Sequence, residues 1–335
     1  GQARVRTLLL AGVLALAACA APSGAPSKPA DAPAGIPAAQ INAPAIPIID
    51  TSGPTSTVKL DRISCSGHAT QGGFVTCKTA PGAQIRVRGG GSAQKPESDQ
   101  AVVADASGLV VVGFDRDAKG VAHIDAKGDG FSQTLDIPIT EREFSIQRVD
   151  GLPQDTVTPT DPALLARIAK EVEKKNVGFA SRAAVDAAFT QTWVWPTDGR
   201  ISGLWGNQRV LNGVPNTPHY GIDIAGPENT TIRAPADGVV ALAEPDMHFE
   251  GGLVFIDHGQ GLISMYLHMN RVDVKAGDPI KQGDAIGLRG MRGRATGPHL
   301  CWRLKWRDRY LDPSLMPLTP VQPMAAISVP AKTGG

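Results

Sequence analysis

Short apolar segments bounded by turns recur between residues 191 and 318, and they limit this part of the chain to β-structure. Each segment has four or five residues, which is the length of a strand and too short for a core helix. Gly, Pro and Asp at the boundaries supply the backbone conformations of tight turns. We therefore predict a compact antiparallel β-domain with its site in a groove across the sheet. The segments are Val239–Leu242, Leu253–Ile256 and Ile263–Leu267.

Side chains that bind metals or carry protons stand at five positions of this region. His219 and Asp223 lie in one loop, His268 follows the last apolar segment, and His299 and Cys301 are separated by one residue. Imidazole nitrogen, carboxylate oxygen and thiolate sulfur all bind zinc, and catalytic zinc usually keeps three protein ligands. Alternation along a strand would place the last two side chains on one face. One of them could then bind metal while the other handles protons.

At these residues the sequence resembles the lysostaphin-type (LytM-like) zinc endopeptidases, which have a His-x3-Asp element, a later His and a terminal His-x-His. The resemblance covers roughly residues 190–316 and includes the glycine turns. It implies hydrolysis of peptide cross-links in bacterial peptidoglycan with one Zn²⁺ per chain. It also implies that His219 and Asp223 are metal ligands and that His268 and His299 are the two catalytic histidines. Cys301 departs from the pattern, because the third ligand of the family is the second His of His-x-His.

Cys301 leaves three functions open. As a third zinc ligand its thiolate would bind at about 2.3 Å, against about 2.0–2.1 Å for imidazole nitrogen. Alternatively, the site has lost its metal and the protein is a non-catalytic activator of cell-wall amidases, or a wall-binding lipoprotein. Because four of the five site residues match and the fifth is of a metal-binding type, we favour the zinc endopeptidase.

The first residues have the pattern of a bacterial lipoprotein signal. Arg4 and Arg6 precede an apolar run too short to span a bilayer, and Leu16–Cys19 resembles the lipoprotein cleavage box. An ordinary secretory signal is the alternative. We predict a signal peptide over 1–18, export to the periplasmic side, and a lipid anchor at Cys19, with outer-membrane attachment favoured by Ala20.

Composition shifts divide the remainder into five predicted segments. A Pro- and Ala-rich disordered tether over 19–57 precedes a small β-sandwich over 58–148, which would bind the wall, gate the site or act as a spacer. A helical connector covers 149–190, the LytM-like peptidase domain 191–318 and a disordered tail 319–335. The predicted fold class is therefore mainly β.

The connector begins with the clearest helix signal of the chain. Asp161 precedes Pro162, as an N-cap precedes a proline in the first turn. Four residues give this helix an apolar face, and the opposite charged face is expected to be solvated. A second helical segment is predicted over Ser181–Phe189. The four apolar residues are Leu164, Leu165, Ile168 and Val172.

Two of the four cysteines flank a predicted hairpin turn. An oxidising periplasm favours a disulfide between Cys65 and Cys77, and the lipid occupies Cys19. Cys301 is then left without a partner, and zinc ligation would account for it.

The remaining features indicate no further partner. A formal net charge of +1 gives no reason to expect nucleic acid. His258 is expected to be structural and His248 exposed, and His68 and His123 are expected to be ordinary surface or strand residues. Trp205 is expected in the core or as a substrate platform.

Overall fold

The computed structural model describes residues 55–319 except residues 97 and 187. The predicted signal peptide, the acylated Cys19 and most of the predicted tether and tail lie outside the described residues. In the described part, no helix is long and apolar enough to cross a membrane. The predicted fold class is confirmed, because the chain is mainly β. The predicted domain boundaries stay predictions.

The first eight strands form two four-stranded antiparallel sheets. They are β1 (Ser56–Lys59), β2 (Ser64–Gly67), β3 (Phe74–Lys78), β4 (Gln84–Arg88), β5 (Gln100–Val103), β6 (Leu109–Gly113), β7 (Val121–Gly128) and β8 (Phe131–Pro138). The strand orders are β1-β2-β3-β6 and β5-β4-β7-β8. Alternation decides which side chains turn inward: Ile85 and Val87 are buried, whereas Gln84 and Arg86 are exposed. Both sheets contribute to one hydrophobic core, as in a sandwich.

A disulfide joins two neighbouring strands of the first sheet. Cys65 on β2 lies directly opposite Cys77 on β3, and the two sulfur atoms are bonded. The turn between the strands contains Gly72, whose φ of +73° is a left-handed conformation that glycine adopts without strain. The predicted pairing is confirmed, and Cys301 is the free cysteine of the described chain.

The connector contains β9 (Ile146–Val149), α1 (Gln154–Val157) and α2 (Pro162–Phe179). The Asp161 side chain accepts a hydrogen bond from the Leu164 backbone N–H at 2.8 Å, so the predicted N-cap is confirmed. The second predicted helix is wrong over its described residues. Residues 181–186 have no helix, and a 3₁₀ turn follows only at Ala188–Thr190. Asp257 explains the difference, because its carboxylate binds the Ser181 hydroxyl and the Ala183 N–H, each at 2.7 Å, and so fixes this segment in a non-helical form.

Helix α2 packs through its charged face, contrary to the expectation that this face is solvated. Glu171 is buried and accepts from the His248 N–H at 3.0 Å, and Lys174 forms an ion pair with Glu244 at 2.9 Å. On the expected apolar face, Leu165 and Val172 are exposed at 46% and 43%, whereas Leu164 and Ile168 are half-buried. Acidic side chains beside the helix explain this packing, because Glu244 and Glu250 pair with Lys174 and Lys175 of the helix.

Residues 200–311 contain a ten-stranded antiparallel sheet. Its strands are β10 (Arg200–Gly203), β13 (Gly221–Ala225), β14 (Thr231–Arg233), β15 (Gly238–Met247), β16 (Gly251–Asp257), β17 (Leu262–Val272), β18 (Pro279–Ile280), β19 (Ala285–Arg289), β20 (His299–Trp306) and β21 (Arg309–Leu311). The main order is β10-β13-β20-β17-β16-β15-β18. Two short strands, β11 (Gln208–Leu211) and β12 (Val214–Pro215), form a separate hairpin, and β9 pairs with β11 in parallel.

The two faces of the large sheet belong to different cores. Leu300 and Trp302 on β20 pack into the main core, which the N-terminal sheets share. Cys301 packs on the opposite face with Leu267 and Phe255. The side chain of Gln260 ties the N-terminal sheets to this region, because its amide binds both the N–H of Val111 and the carbonyl of Leu109 at 2.9 Å. Strand alternation therefore puts Cys301 on the sheet face away from the main core.

Candidate metal centre and active site

Three predicted ligands meet where β13 pairs with β20. Asp223 on β13 lies directly opposite Cys301 on β20, and His219 lies two residues before β13. His219 Nε2 is 3.0 Å from Asp223 Oδ1 and 3.5 Å from Cys301 Sγ. The three ligand atoms lie within 4.8 Å of one another, and all three residues are buried. In the part of the chain that the structure describes, this is the one group of three or more such side chains close enough to hold a metal.

Neighbouring groups fix the orientation of each of these side chains. His219 Nδ1 donates a hydrogen bond to the Leu204 carbonyl at 3.0 Å, because a carbonyl oxygen can only accept. The proton of a neutral ring is therefore at Nδ1, and Nε2 presents its lone pair to Asp223 and Cys301. Arg209 from β11 donates to Asp223 Oδ2 at 2.6 Å. Sequence reasoning identified neither Leu204 nor Arg209, since nothing in the spacing marks them as partners.

The donor atoms fit a cation. Asp223 Oδ1 is buried and makes no hydrogen bond, although it lies close to His219 Nε2. His219 Nε2 cannot donate a hydrogen bond to Asp223 Oδ1, because the proton of the neutral ring is at Nδ1. A buried carboxylate oxygen without a partner is costly, and it faces an imidazole lone pair and a sulfur atom. A metal ion accepts electron pairs from all three atoms and removes that cost.

Burial and charge set the protonation of the three groups. Burial lowers the pKa of His219, which keeps its ring neutral near pH 7. Burial by itself raises the pKa of Asp223, but neighbouring groups, among them the cationic Arg209 on Oδ2, outweigh burial and hold that pKa well below its ordinary value. Burial raises the pKa of the Cys301 thiol to about 11, and the nearby Arg303 opposes this rise. In the metal-free site, therefore, Asp223 is ionised and Cys301 is protonated.

Two glycines leave room for the ligands. A Cβ at Gly203 would lie 2.4 Å from Asp223 Oδ2, and a Cβ at Gly221 would lie 2.8 Å from Cys301 Sγ. A Cβ atom essentially never makes a contact shorter than 3.0 Å, so a larger residue at either position would displace a ligand side chain. The sheet thus needs glycine at both positions to bring the ligands together.

The two predicted catalytic histidines lie beside this centre. The ring centroids of His268 and His299 are 4.7 Å apart, and His299 Nε2 is 3.7 Å from Asp223 Oδ1. His268 Nδ1 donates to the Arg292 carbonyl and His299 Nδ1 to the Gly297 carbonyl, both at 2.8 Å. In a neutral ring each Nε2 is therefore free to accept a proton. Burial and the neighbouring His299 keep the pKa of His268 well below its ordinary value, so this ring is neutral at pH 7.

His268 has a backbone conformation that is unusual outside glycine. Its φ is +67°, and its N–H donates to the Glu250 carbonyl at 2.7 Å. Such a conformation costs about 1–3 kcal/mol and persists only where the surroundings impose it. His268 lies within β17, between the part that pairs with β20 and the part that pairs with β19, and its imidazole faces His299.

The other predicted residues have structural positions. His258 is fully buried, donates from Nδ1 to the Asp237 carbonyl at 2.6 Å and accepts at Nε2 from the Ser264 hydroxyl at 2.7 Å. His248 Nε2 donates to the Asp155 carbonyl at 3.0 Å, and His123 Nδ1 lies 2.7 Å from Asp136 Oδ1 on the neighbouring strand. Trp205 is 4% exposed and its ring contacts Phe144, which makes it a core residue and no substrate platform.

Comparison with known proteins finds a family match over one segment of the chain. Residues 217–313 match peptidase family M23. Over 92 residues the chain is 40% identical to the peptidoglycan DD-endopeptidase ShyA of Vibrio cholerae. This alignment covers 28% of this chain and 21% of ShyA. Over 95 residues it is 35% identical to the DD-carboxypeptidase/endopeptidase Mpg of Neisseria gonorrhoeae. That alignment covers 28% of this chain and 22% of Mpg. The matched region is thus about a fifth of each curated relative.

Similarity of the fold extends further along the chain. The crystal structure of a putative peptidase M23 from Pseudomonas aeruginosa superposes with a TM-score of 0.54 at 26% identity. The match covers 74% of this chain and 96% of that one. The similarity therefore includes residues outside the matched segment 217–313.

Proposed function

Because residues 217–313 form a peptidase family M23 domain, we propose that this protein is a zinc metalloendopeptidase that hydrolyses peptide cross-links of bacterial peptidoglycan. One observation carries the proposal. A buried carboxylate oxygen of Asp223 without a hydrogen bond faces His219 Nε2 and Cys301 Sγ, and two histidines with free Nε2 atoms lie beside it. This arrangement combines a metal site with groups that move protons.

His219, Asp223 and Cys301 would hold the zinc ion, with one thiolate in place of an imidazole. Bound zinc supplies Lewis acidity, which polarises a carbonyl and lowers the pKa of water towards 7. Leu204 keeps the His219 tautomer in which Nε2 is the ligand atom, and Arg209 occupies Asp223 Oδ2 so that Oδ1 remains free. The chain thus prepares one ligand atom from each residue.

His268 and His299 would transfer the protons of the reaction. Each ring donates from Nδ1 to a backbone carbonyl, which fixes the ring and leaves Nε2 as the acceptor. A ring that takes a proton from the attacking water at Nε2 can return it to the nitrogen of the leaving amine. His268 suits the first transfer because burial keeps its ring neutral.

The substrate we propose is the cross-link between D-alanine and diaminopimelate. The curated relatives named above are a peptidoglycan DD-endopeptidase and a DD-carboxypeptidase/endopeptidase, which supports this choice over polyglycine. A lipid anchor at Cys19 on the periplasmic side of the outer membrane would place the enzyme next to this substrate. Both the anchor and the export signal belong to the proposal.

The test measures release of monomers from a purified cross-linked muropeptide by chromatography. We expect hydrolysis by the wild-type protein, loss of hydrolysis after chelation and recovery with one equivalent of zinc. His268→Ala and His299→Ala should keep their zinc and lose about 10²–10⁴-fold in turnover, the usual contribution of proton transfer. His123→Ala is the control, because His123 lies on β7, outside the site.

A defined negative result would contradict the proposed function. A wild-type protein that binds no zinc and cuts no muropeptide would contradict the proposal. Stimulation of a cell-wall amidase by that metal-free protein would then identify the non-catalytic activator.

A further inference from the structure

A cavity of about 220 Å³ lies next to the metal centre, between α2 and the sheet face that carries Cys301. Its apolar wall includes Phe255, Met265 and Leu267, and Leu267 pairs directly with Cys301 across the two strands. Ligand sites for drug-sized molecules measure about 300–1,000 Å³. This cavity is smaller, so it suits one amino acid of a larger substrate.

Arg303 lines the cavity with a guanidinium that lacks a carboxylate partner. Its Nε donates to Cys301 Sγ at 3.4 Å. Among the described residues no carboxylate lies within ion-pair distance of it, and its two terminal nitrogens have no hydrogen-bond partner. Arg209, by contrast, is paired with Asp223. Because an arginine fork matches a carboxylate in two parallel hydrogen bonds, the terminal nitrogens of Arg303 are suited to a carboxylate ligand.

Glu250 brings a free acceptor to the same cavity. Its Oε1 pairs with Lys175, while its Oε2 is buried and has no hydrogen-bond partner. The cavity therefore holds two cations, Lys175 and Arg303, and one carboxylate, which leaves a net charge of +1. A buried carboxylate oxygen without a donor is as costly here as in the metal centre, and an N–H group of a ligand would satisfy it. The walls thus offer partners for a ligand that carries both a carboxylate and an N–H group.

The proposed substrate has this combination at the bond that is cut. In the bond between D-alanine and the D-centre of diaminopimelate, the carbon that carries the scissile nitrogen also carries a free carboxylate. A bond to a terminal D-alanine has the same arrangement. The carboxylate is thus one carbon away from the nitrogen that leaves, and Arg303 is in contact with a ligand residue of the metal centre.

We propose that the Arg303 guanidinium binds the free carboxylate of the amino acid on the leaving side of the scissile amide, and that Glu250 Oε2 accepts a hydrogen bond from an N–H group of that amino acid. This inference rests on the proposed function and adds a specificity determinant to it. The apolar wall receives the carbon chain of the same amino acid. Substrates without a carboxylate at this position, such as polyglycine bridges, leave Arg303 unpaired and are selected against.

The experiment compares two synthetic cross-linked peptide dimers. One has a free carboxylate next to the D-alanine–diaminopimelate bond, and the other has a primary amide at that position. Both are tested for hydrolysis by zinc-loaded wild-type protein and for binding to zinc-loaded His268→Ala by calorimetry. Arg303→Met removes the guanidinium and keeps much of the side-chain length, and Arg303→Lys keeps the charge without the fork. Arg86→Met is the control, because Arg86 is an exposed, ion-paired arginine on β4.

We expect wild-type kcat/KM to be about 10- to 100-fold higher for the carboxylate dimer, the usual range for a hydrogen-bonded charged group. Arg303→Met should abolish this preference while keeping one zinc per chain, and Arg303→Lys should keep part of it. Arg86→Met should behave as wild type. Equal kcat/KM for the two dimers in wild type would overturn the inference and leave the proposed function intact.

Three further outcomes distinguish failure of the inference from failure of the proposed function. If Arg303→Met loses its zinc, Arg303 acts through Cys301, and the inference is overturned. If no protein hydrolyses either dimer, but binding still discriminates carboxylate from amide and Arg303→Met removes that discrimination, the inference stands and the proposed function fails. If neither hydrolysis nor binding is seen, both fail.

Discussion

Zinc binding should release a proton from Cys301, and this linkage tests the thiolate ligand quantitatively. Burial raises the pKa of the Cys301 thiol to about 11. The pKa values of His219 and Asp223 are lowered, so the first is neutral and the second ionised between pH 7 and pH 9. The thiol is therefore the one ligand that must lose a proton when zinc binds in this range.

The direction and the size of the pH dependence of zinc affinity follow from the pKa of the thiol. Below about pH 11 the free thiol is protonated. The fraction present as thiolate then decreases about tenfold for each unit by which the pH falls. The apparent Kd for zinc should thus fall about tenfold per unit as the pH rises, or about 100-fold from pH 7 to pH 9. This corresponds to about 2.7 kcal/mol of apparent binding free energy.

Cys301→His is the matched comparison. An imidazole with an ordinary pKa near 6.5 is already neutral at pH 7, so its zinc affinity should change little above that pH. Any proton that a water molecule at the metal releases is common to both proteins. The difference between their slopes therefore isolates the thiol.

The assay is competition with a zinc-binding dye at several pH values between 7 and 9, corrected for the protonation of the dye. Proton release in weakly buffered solution gives an independent count, with one more proton per zinc for wild type than for Cys301→His. Identical slopes for the two proteins would refute the reasoning, because the released proton would then come from a group other than Cys301.

Two further predictions concern a buried histidine, His258, and the glycine beside Asp223, Gly203. Burial lowers the pKa of His258 to about 4, so its contribution to stability is complete above about pH 6.5 and decreases as the pH falls. Wild type should lose about 2–3 kcal/mol more than His258→Gln between pH 7 and pH 4.5 in urea unfolding, and equal losses would contradict this. Gly203→Ala should weaken zinc binding at least about tenfold, because its Cβ would meet Asp223 Oδ2 at 2.4 Å. Gly297→Ala is the control, since a Cβ there meets nothing within 4 Å, and equal zinc affinities of the two variants would show that the Gly203 contact is harmless.

Local patterns predicted much of the fold and of the candidate centre. Strand alternation correctly put His299 and Cys301 on one side of β20, with Leu300 on the other. His219 and Asp223 are of metal-binding type and lie four residues apart, and the pairing of β13 with β20 brings both of them to Cys301. These features depend on period and residue type, which a single sequence displays directly.

The remaining features depend on contacts between distant residues. Arg209 and Arg303 look like ordinary surface cations in the sequence, and only the fold shows that one binds Asp223 and the other Cys301. Residues 181–186 have helical composition, but the buried Asp257 carboxylate binds their backbone and side chains. Part of the charged face of helix α2 is paired, because Lys174 and Lys175 meet the carboxylates of Glu244 and Glu250. No local pattern specifies such partners.

The most direct test is the zinc content of purified wild type, Cys301→Ala and Cys301→His after dialysis against a mild chelator. We expect one zinc per chain in wild type and in Cys301→His. We expect almost none in Cys301→Ala, because only His219 and Asp223 would remain as protein ligands. Wild-type protein without zinc, or Cys301→Ala with as much zinc as wild type, would contradict the proposed zinc site.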